Sequence, residues 1–380
     1  MGISRRNFLS AAVTTGVGAA FMKRIPQIFP HTNAKEAAVS GIKLTYRRYE
    51  LRLRHVFTIS RSSKTVTPVI FADVTADGIT GTGESSPNAR YHEDPNTVTA
   101  FLDRIDLSRY DDPFEREDIL DYVAGIAPEN TSAKAAVDIA LHDWAGKKLG
   151  VPLYKLWGLD RNKVPVTSFT IAIDTPKVMQ DKIREAEEYP IYKIKVGLDN
   201  DAEIMKAVRE VTKKTLRVDA NEGWKTKEVA LERIKMLQDN GVEFIEQPMP
   251  AAQLSDIAWL KERVGIPIMA DESVLSLYDI PKIAEAFDGI NIKLMKSTGI
   301  REAMRMIHTA RAFKMKIMLG CMIESSVGIS AAAHLSPLVD YTDLDGNLLI
   351  TNDPYTGLTL KDGRVIPGDG PGLGVVPREG

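Results

Sequence analysis

The chain has 380 residues, of which 44% are hydrophobic, and 49 Lys and Arg against 51 Asp and Glu leave a net charge of −2. That length is long for one domain and comfortable for two, with apolar content for a large core. No basic stripe stands outside the extreme N-terminus, so nucleic acid finds no electrostatic footprint and a small-molecule ligand is expected.

Residues 4–10, Ser4-Arg5-Arg6-Asn7-Phe8-Leu9-Ser10, resemble the twin-arginine export motif, with Ser10 where a lysine often stands. The uncharged stretch 7–22 that follows is shorter and less apolar than the roughly 20 residues of a stable membrane span. It fits the weakly apolar centre of an export signal. Residues 1–34 are therefore expected to engage the twin-arginine export machinery, with cleavage after Ala34 and a periplasmic destination. Without a working signal the protein would stay in the cytoplasm. The single Cys321 has no internal disulfide partner, which suits folding before export. Its apolar surroundings, KIMLGCM, mark it as a packed thiol rather than a nucleophile.

Residues 35–160 read as an α+β module. Leu44–Leu53 and Thr67–Ala76 alternate as strands do, with turns expected at Asp77-Gly78 and at Gly81-Thr82-Gly83. Residues 96–157 read as helical, and SAKAAVDIALHDWAGKKLG stops at Gly150-Val151-Pro152. Over 161–346, short apolar runs alternate with amphipathic stretches in the manner of βα repeats. The runs start at Val164, Tyr192, Thr215, Val242, Ile266, Gly289, Lys316 and Val339, enough for a compact α/β barrel. Residues 347–380 close the chain, and the glycines of 369–374 read as turn-rich packing because no phosphate-binding lysine accompanies them.

Five of those runs end in a charge: Lys195, Asp219, Glu246, Asp271 and Lys293, spaced 24, 27, 25 and 22 residues apart. In a parallel barrel that period brings all five to one mouth. Lys193 and Lys195 share a strand face, and an idle lysine inside a barrel is costly. One of them can be a base while the other, a fixed positive charge, lowers its pKa. Three oxygen ligands with no Cys or His favour Mg²⁺ over zinc, and Asn221, Gln247 and Glu272 are placed to orient them. Lys293, which directly follows the apolar run, is favoured over Lys296, which begins the loop. His142 and His334 lie in helix-like stretches and read as structural. Bases on opposite sides of a metal-bound carboxylate suit proton abstraction at its α-carbon and return of a proton on the other face. A dehydratase remains open at this point.

Residues 41–380 are similar to the enolase superfamily, muconate-lactonising subgroup. KIKVG, RVDANEGW, FIEQPMP, MADES, INIKLMKSTGI and the closing PGLGV carry the resemblance. It implies a modified (β/α)7β TIM-type barrel under an α+β capping domain to which residues 347–380 return. It also implies one Mg²⁺ per subunit on Asp219, Glu246 and Asp271, with Lys195 and Lys293 as the acid–base pair and Lys193 in support. Asp343-Leu344-Asp345 resembles the signature of dipeptide epimerases, where two carboxylates hold the substrate's ammonium, and MIESSVGI (residues 322–329) is similar to them too. Arg61, 23 residues before Glu84, matches the arginine that pairs with the glutamate side chain in L-Ala-D/L-Glu epimerases; Lys64 or Arg54 could serve instead. Lys296 and Met322 complete the expected substrate contacts.

The resemblance thus implies epimerisation of a dipeptide, L-Ala-D/L-Glu from cell-wall peptide, by two-base 1,1-proton transfer through an enediolate. A homo-oligomer is expected. The competing readings are an o-succinylbenzoate synthase or N-acylamino-acid racemase, a dipeptide epimerase of other side-chain specificity, and an exported binding protein without catalysis.

Overall fold

The computed structural model describes residues 41–379; the signal-like segment 1–34 lies outside them. The first elements are three antiparallel strands, β1 (Lys43–Ile59), β2 (Ser62–Ala76) and β3 (Ile79–Ser85). The expected turn at Asp77-Gly78 joins β2 to β3, with φ of 53° and 73°, the left-handed pair that a two-residue hairpin requires.

The turn expected at Gly81-Thr82-Gly83 is absent, and these residues lie inside β3. Their glycines answer to packing. Helix α1 (Pro95–Leu102), helix α2 (Arg116–Gly125) and the long α3 (Thr131–Leu149) cover the sheet. A Cβ at Gly83 would come within 1.9 Å of the Ala136 carbonyl of α3, and one at Gly81 within 2.1 Å of that of Ala140. Two bare positions therefore let helix and strand touch backbone to backbone. Helix α3 stops where expected, at Gly150 in the left-handed region, and α4 (Leu153–Leu156) follows.

The second region alternates strand and helix. Strands β4 (Phe169–Ile171), β5 (Ile191–Lys195), β6 (Thr215–Asp219), β7 (Val242–Glu246), β8 (Ile268–Ala270), β9 (Gly289–Lys293), β10 (Lys316–Gly320) and β11 (Tyr341–Asp343) pair in parallel in chain order. Between them run α5 (Pro176–Glu185), α6 (Asp201–Val211), α7 (Lys227–Asp239), α8 (Leu254–Lys261), α9 (Ile280–Ile283), α10 (Ile300–Ala312) and α11 (Ser326–Leu335). Seven strand–helix units plus a final strand make a (β/α)7β barrel.

The run expected to open at Val164 becomes a strand only at Phe169. Pro165 offers no N–H to a ladder, and the residues after it seal the barrel instead. Thr167 bridges to Thr342, and its hydroxyl accepts from Leu344 N at 2.8 Å. The runs at Ile266 and Val339 likewise pair two residues later than expected, at Ile268 and Tyr341.

Deep in the barrel Phe244, Met269 and Met318 pack together with Tyr341 against them. The buried Arg217 guanidinium lies over the rings of Phe244 and Tyr341 and bonds Glu243 at 2.8 Å. These side chains fill the barrel below the C-terminal ends of its strands, where the functional groups stand.

Short pairs β12 (Tyr355–Thr356) with β15 (Val376–Pro377), and β13 (Thr359–Lys361) with β14 (Arg364–Ile366), form the C-terminal segment. It wedges between α3 and α11: Leu373 N donates to Asp143 at 2.8 Å, and Ser330 Oγ donates to the Leu373 carbonyl at 2.6 Å. The two histidines read as structural are buried in helices. His334 bridges Tyr154 N and the Leu373 carbonyl, and burial pulls its pKa down to about 4. Among the described residues no helix is long and apolar enough to cross a membrane.

Candidate active site

Strand register assembles the charges. Lys195 pairs with Asp219 and Asp219 with Glu246, so three of the five share one level at the ends of β5, β6 and β7. On the far side Gly320 pairs with both Lys293 and Asp343. Asp271 follows β8 directly. In strand order β5 and β9 stand four apart among eight, which puts Lys195 and Lys293 across the barrel from each other.

Asp219, Glu246 and Asp271 are buried, and one oxygen of each lies within 4.8 Å of the others. Glu246 Oε2 stands 2.7 Å from Lys193 Nζ but, among the described residues, lacks hydrogen-bond alignment with any group, as do Asn221 Oδ1 and Glu272 Oε2 nearby. Convergent hard oxygens with unused lone pairs and no sulfur or imidazole fit a magnesium-type cation. The flanking groups fix these carboxylates. Asn221 N donates to Asp219 at 2.8 Å, and Gln247 Oε1 accepts from Asp271 N at 3.0 Å.

The lysines carry the positive half of the site. Lys195 Nζ is 2.6 Å from Asp219, and Lys293 Nζ is 2.6 Å from Asp271. Lys193 reaches Glu246 and Asp343 at 2.7 Å each and Asp219 at 3.1 Å. Burial disfavours the charged form of Lys193 and of Lys293, yet the carboxylates around each outweigh it and raise both pKa values. Burial also opposes ionisation of Asp219 and Asp271, but the lysines beside them hold both below the usual carboxylate range. Glu246 moves the other way, pushed up to about 7 by burial and by Asp219. Like charges this close make ionising the last of them the most costly.

A cavity of about 320 Å³ stands over this ring, between the barrel mouth and the tip of the β1–β2 hairpin. Lys193, Lys195, Lys293, Asp271, Asp343, Asp345, Met322 and Arg61 all line it. Lys296 does not. Its buried ammonium is held by the carbonyl and side chain of Asp271, so it orients that carboxylate from behind. Asp343 accepts from Ser168 Oγ at 2.6 Å and from Lys193, whereas Asp345 uses one oxygen to accept from Thr170 N at 2.6 Å. Cys321 is half-buried at the cavity wall and donates to the Asp343 carbonyl at 3.2 Å.

Residues 42–158 match the N-terminal domain of the mandelate racemase/muconate lactonizing enzyme family, and 178–380 match the enolase C-terminal domain-like family. The L-Ala-D/L-Glu epimerase of Bacteroides thetaiotaomicron is 47% identical over 98% of this chain and 99% of its own length. This chain belongs to the enolase superfamily. Within it the chain groups with the dipeptide epimerases and is an enzyme of the isomerase class.

Two solved structures extend the likeness. One is a substrate-liganded complex of the L-Ala-D/L-Glu epimerase from Bacillus subtilis (TM-score 0.84, 28% identity, 89% of this chain and 99% of that one). The other is a dipeptide epimerase from Cytophaga hutchinsonii complexed with Mg and D-Ala-L-Val (TM-score 0.83, 28% identity, 90% and 96% coverage).

Several residues of this superfamily site escaped the sequence reading. Asn291 Nδ2 donates to Glu246 at 2.7 Å, and its place two before Lys293 on one strand face was the available signal. Ser168 and Thr170, which hold the two aspartates, carry the same period-two signal. Tyr91, on a one-turn helix after β3, lines the cavity, and burial followed by the charge of Asp271 raises its pKa. Nothing in a lone tyrosine beyond a strand end marks it in sequence. Arg61 lies where expected, at the hairpin tip, but both arms of its guanidinium are engaged. One donates to the Asn221 carbonyl at 2.9 Å and the other to Glu272 at 2.7 Å.

Proposed function

We propose that this protein is a Mg²⁺-dependent dipeptide epimerase that inverts the α-carbon of the C-terminal residue, with L-Ala-D/L-Glu as its substrate. The observation that carries the reading is the placement of Lys195 and Lys293 on opposite strands of the barrel, with the three carboxylates between them and the Asp343–Asp345 pair in the same cavity. Mg²⁺ bound by Asp219, Glu246 and Asp271 would supply positive charge for the substrate's own carboxylate as its α-proton leaves.

The chain's residues do the rest. The carboxylate charge that holds Lys293 protonated would be offset by a cation on Asp219, Glu246 and Asp271, and in the neutral form Lys195 or Lys293 takes the α-proton from its own face. The other, as an ammonium, delivers one to the opposite face, and the roles exchange with direction. Asp345, whose second oxygen has only the distant Cys321 sulfur at 4.0 Å, receives the dipeptide's ammonium beside Asp343. Lys193, tied to three carboxylates, keeps the floor of the cavity charged and fixed.

The test is conversion of L-Ala-L-Glu to L-Ala-D-Glu by the purified protein, followed by chiral chromatography. Activity should vanish in EDTA and return with added Mg²⁺. Full turnover after exhaustive chelation would refute the metal's part, and no turnover with any dipeptide would refute the reading as a whole.

A further inference from the structure

The hairpin tip that roofs the cavity holds a second cation whose situation differs from every other one there. Between Ser62 and Val66 on β2 the residues are exposed except Lys64, which is half-buried and lines the cavity. Thr67, the next residue to turn inward, is 2% exposed and lines the same cavity, and its hydroxyl has no hydrogen-bond partner among the described residues. The other cavity cations are all compensated: Lys193 by three carboxylates, Lys195 by Asp219, Lys293 by Asp271 and Arg61 by Glu272. Among the described residues Lys64 alone of the cavity's lysines and arginines has neither a carboxylate within 4 Å nor a hydrogen bond. An ammonium withdrawn from water without a counter-charge is costly, so a ligand's anion would find its partner already in place.

The geometry points to Lys64, rather than Arg61, as the group that binds the side-chain carboxylate of an acidic C-terminal residue in the substrate. This rests on the dipeptide-epimerase reading above, which it deepens. L-Ala-L-Glu brings two carboxylates and one ammonium. The α-carboxylate would meet the Mg²⁺ that Asp219, Glu246 and Asp271 would hold, and the ammonium belongs at Asp343 and Asp345. The remaining carboxylate needs a cation that no protein group has taken. Burial pulls the Lys64 pKa down to about 8, so it is charged at neutral pH and loses that charge just above. Arg61 then has a different task. By tying the hairpin to Glu272 and Asn221 beyond β6 and β8, it positions the tip on which Lys64 stands.

The test compares kcat/KM for L-Ala-L-Glu with that for its neutral isostere L-Ala-L-Gln in the Mg²⁺-loaded enzyme, so that each variant carries its own folding control. Lys64→Met should lower the Glu-to-Gln ratio about 10- to 100-fold, chiefly through KM for the acidic substrate, and Lys64→Arg should restore most of it. Arg61→Met should lower both values while keeping the ratio. In the wild type the ratio should fall as pH rises through about 8, and in Lys64→Met it should stay flat. The inference is overturned if the ratio survives Lys64→Met, collapses in Arg61→Met instead, or is near one in the wild type. If the wild type epimerises neither dipeptide, the functional reading itself has failed; if it epimerises both alike, only the Lys64 assignment has.

Discussion

The barrel mouth and the β1–β2 hairpin face each other across one cavity, yet they are built on opposite principles. At the mouth, charges sit at the ends of short, buried strands in a shared register, and nearly every one is matched by a neighbour. At the hairpin tip most side chains are exposed, and one cation is left unmatched. Backbone register holds the mouth rigid and general, suited to a reaction at any α-carbon. The hairpin tip instead faces what that carbon carries, and by the inference above Lys64 is the residue that meets it.

The largest test of this contrast lies at the mouth. Lys195→Ala or Lys293→Ala should cut epimerisation by at least about 10²- to 10⁴-fold, as expected for losing a positioned acid or base, measured as L-Ala-D-Glu formed from L-Ala-L-Glu. A smaller effect belongs to substrate binding. Asp345→Asn should cost about 10- to 100-fold in kcat/KM for dipeptides with a free ammonium, and steady-state kinetics should show it mainly in KM.

The smallest effect lies where the cap meets the barrel. Glu84 and Glu324 are both buried beside Gly328, with Glu84 bonded to Ser325 and Gly328. Burial raises their pKa values to about 7 and about 8 from an ordinary 4.5. Raised carboxyls favour the protonated folded state. Their contribution is therefore complete below about pH 4.5 and is lost as pH rises through 7 and 8. The thermal midpoint should decline over that window, and Glu324→Gln should flatten the decline. An equally steep decline in the variant would assign the pH dependence elsewhere.

The same contrast explains what the sequence disclosed. The barrel was legible because each interior strand announces itself as an apolar run, and each of the five charges directly ends one. Periods of 22 to 27 residues then place those charges in one ring. The cap sheet was legible except at Gly81 and Gly83, which look like a turn until α3 is seen resting on them. The opening of β4 was misplaced because residues 164–168 are apolar enough for a strand but serve as the barrel's seam.

The parts that resisted reading depend on contacts distant in sequence. The sequence favours Lys293 over Lys296 as the base but still expects Lys296 to touch substrate, and only the fold puts it behind Asp271. Arg61 stands ahead of Lys64 on sequence, where nothing shows that Glu272, 211 residues on, already occupies Arg61.

The central claim is that Lys195 and Lys293 serve opposite faces of one α-carbon. It is tested most directly by solvent exchange in D₂O with the two single variants, offered L-Ala-L-Glu and L-Ala-D-Glu separately. The account predicts that each variant, though unable to epimerise, still places deuterium at the glutamyl α-carbon of one epimer, and that the two variants choose opposite epimers. Exchange of the same epimer by both, or of both epimers by either, would contradict it.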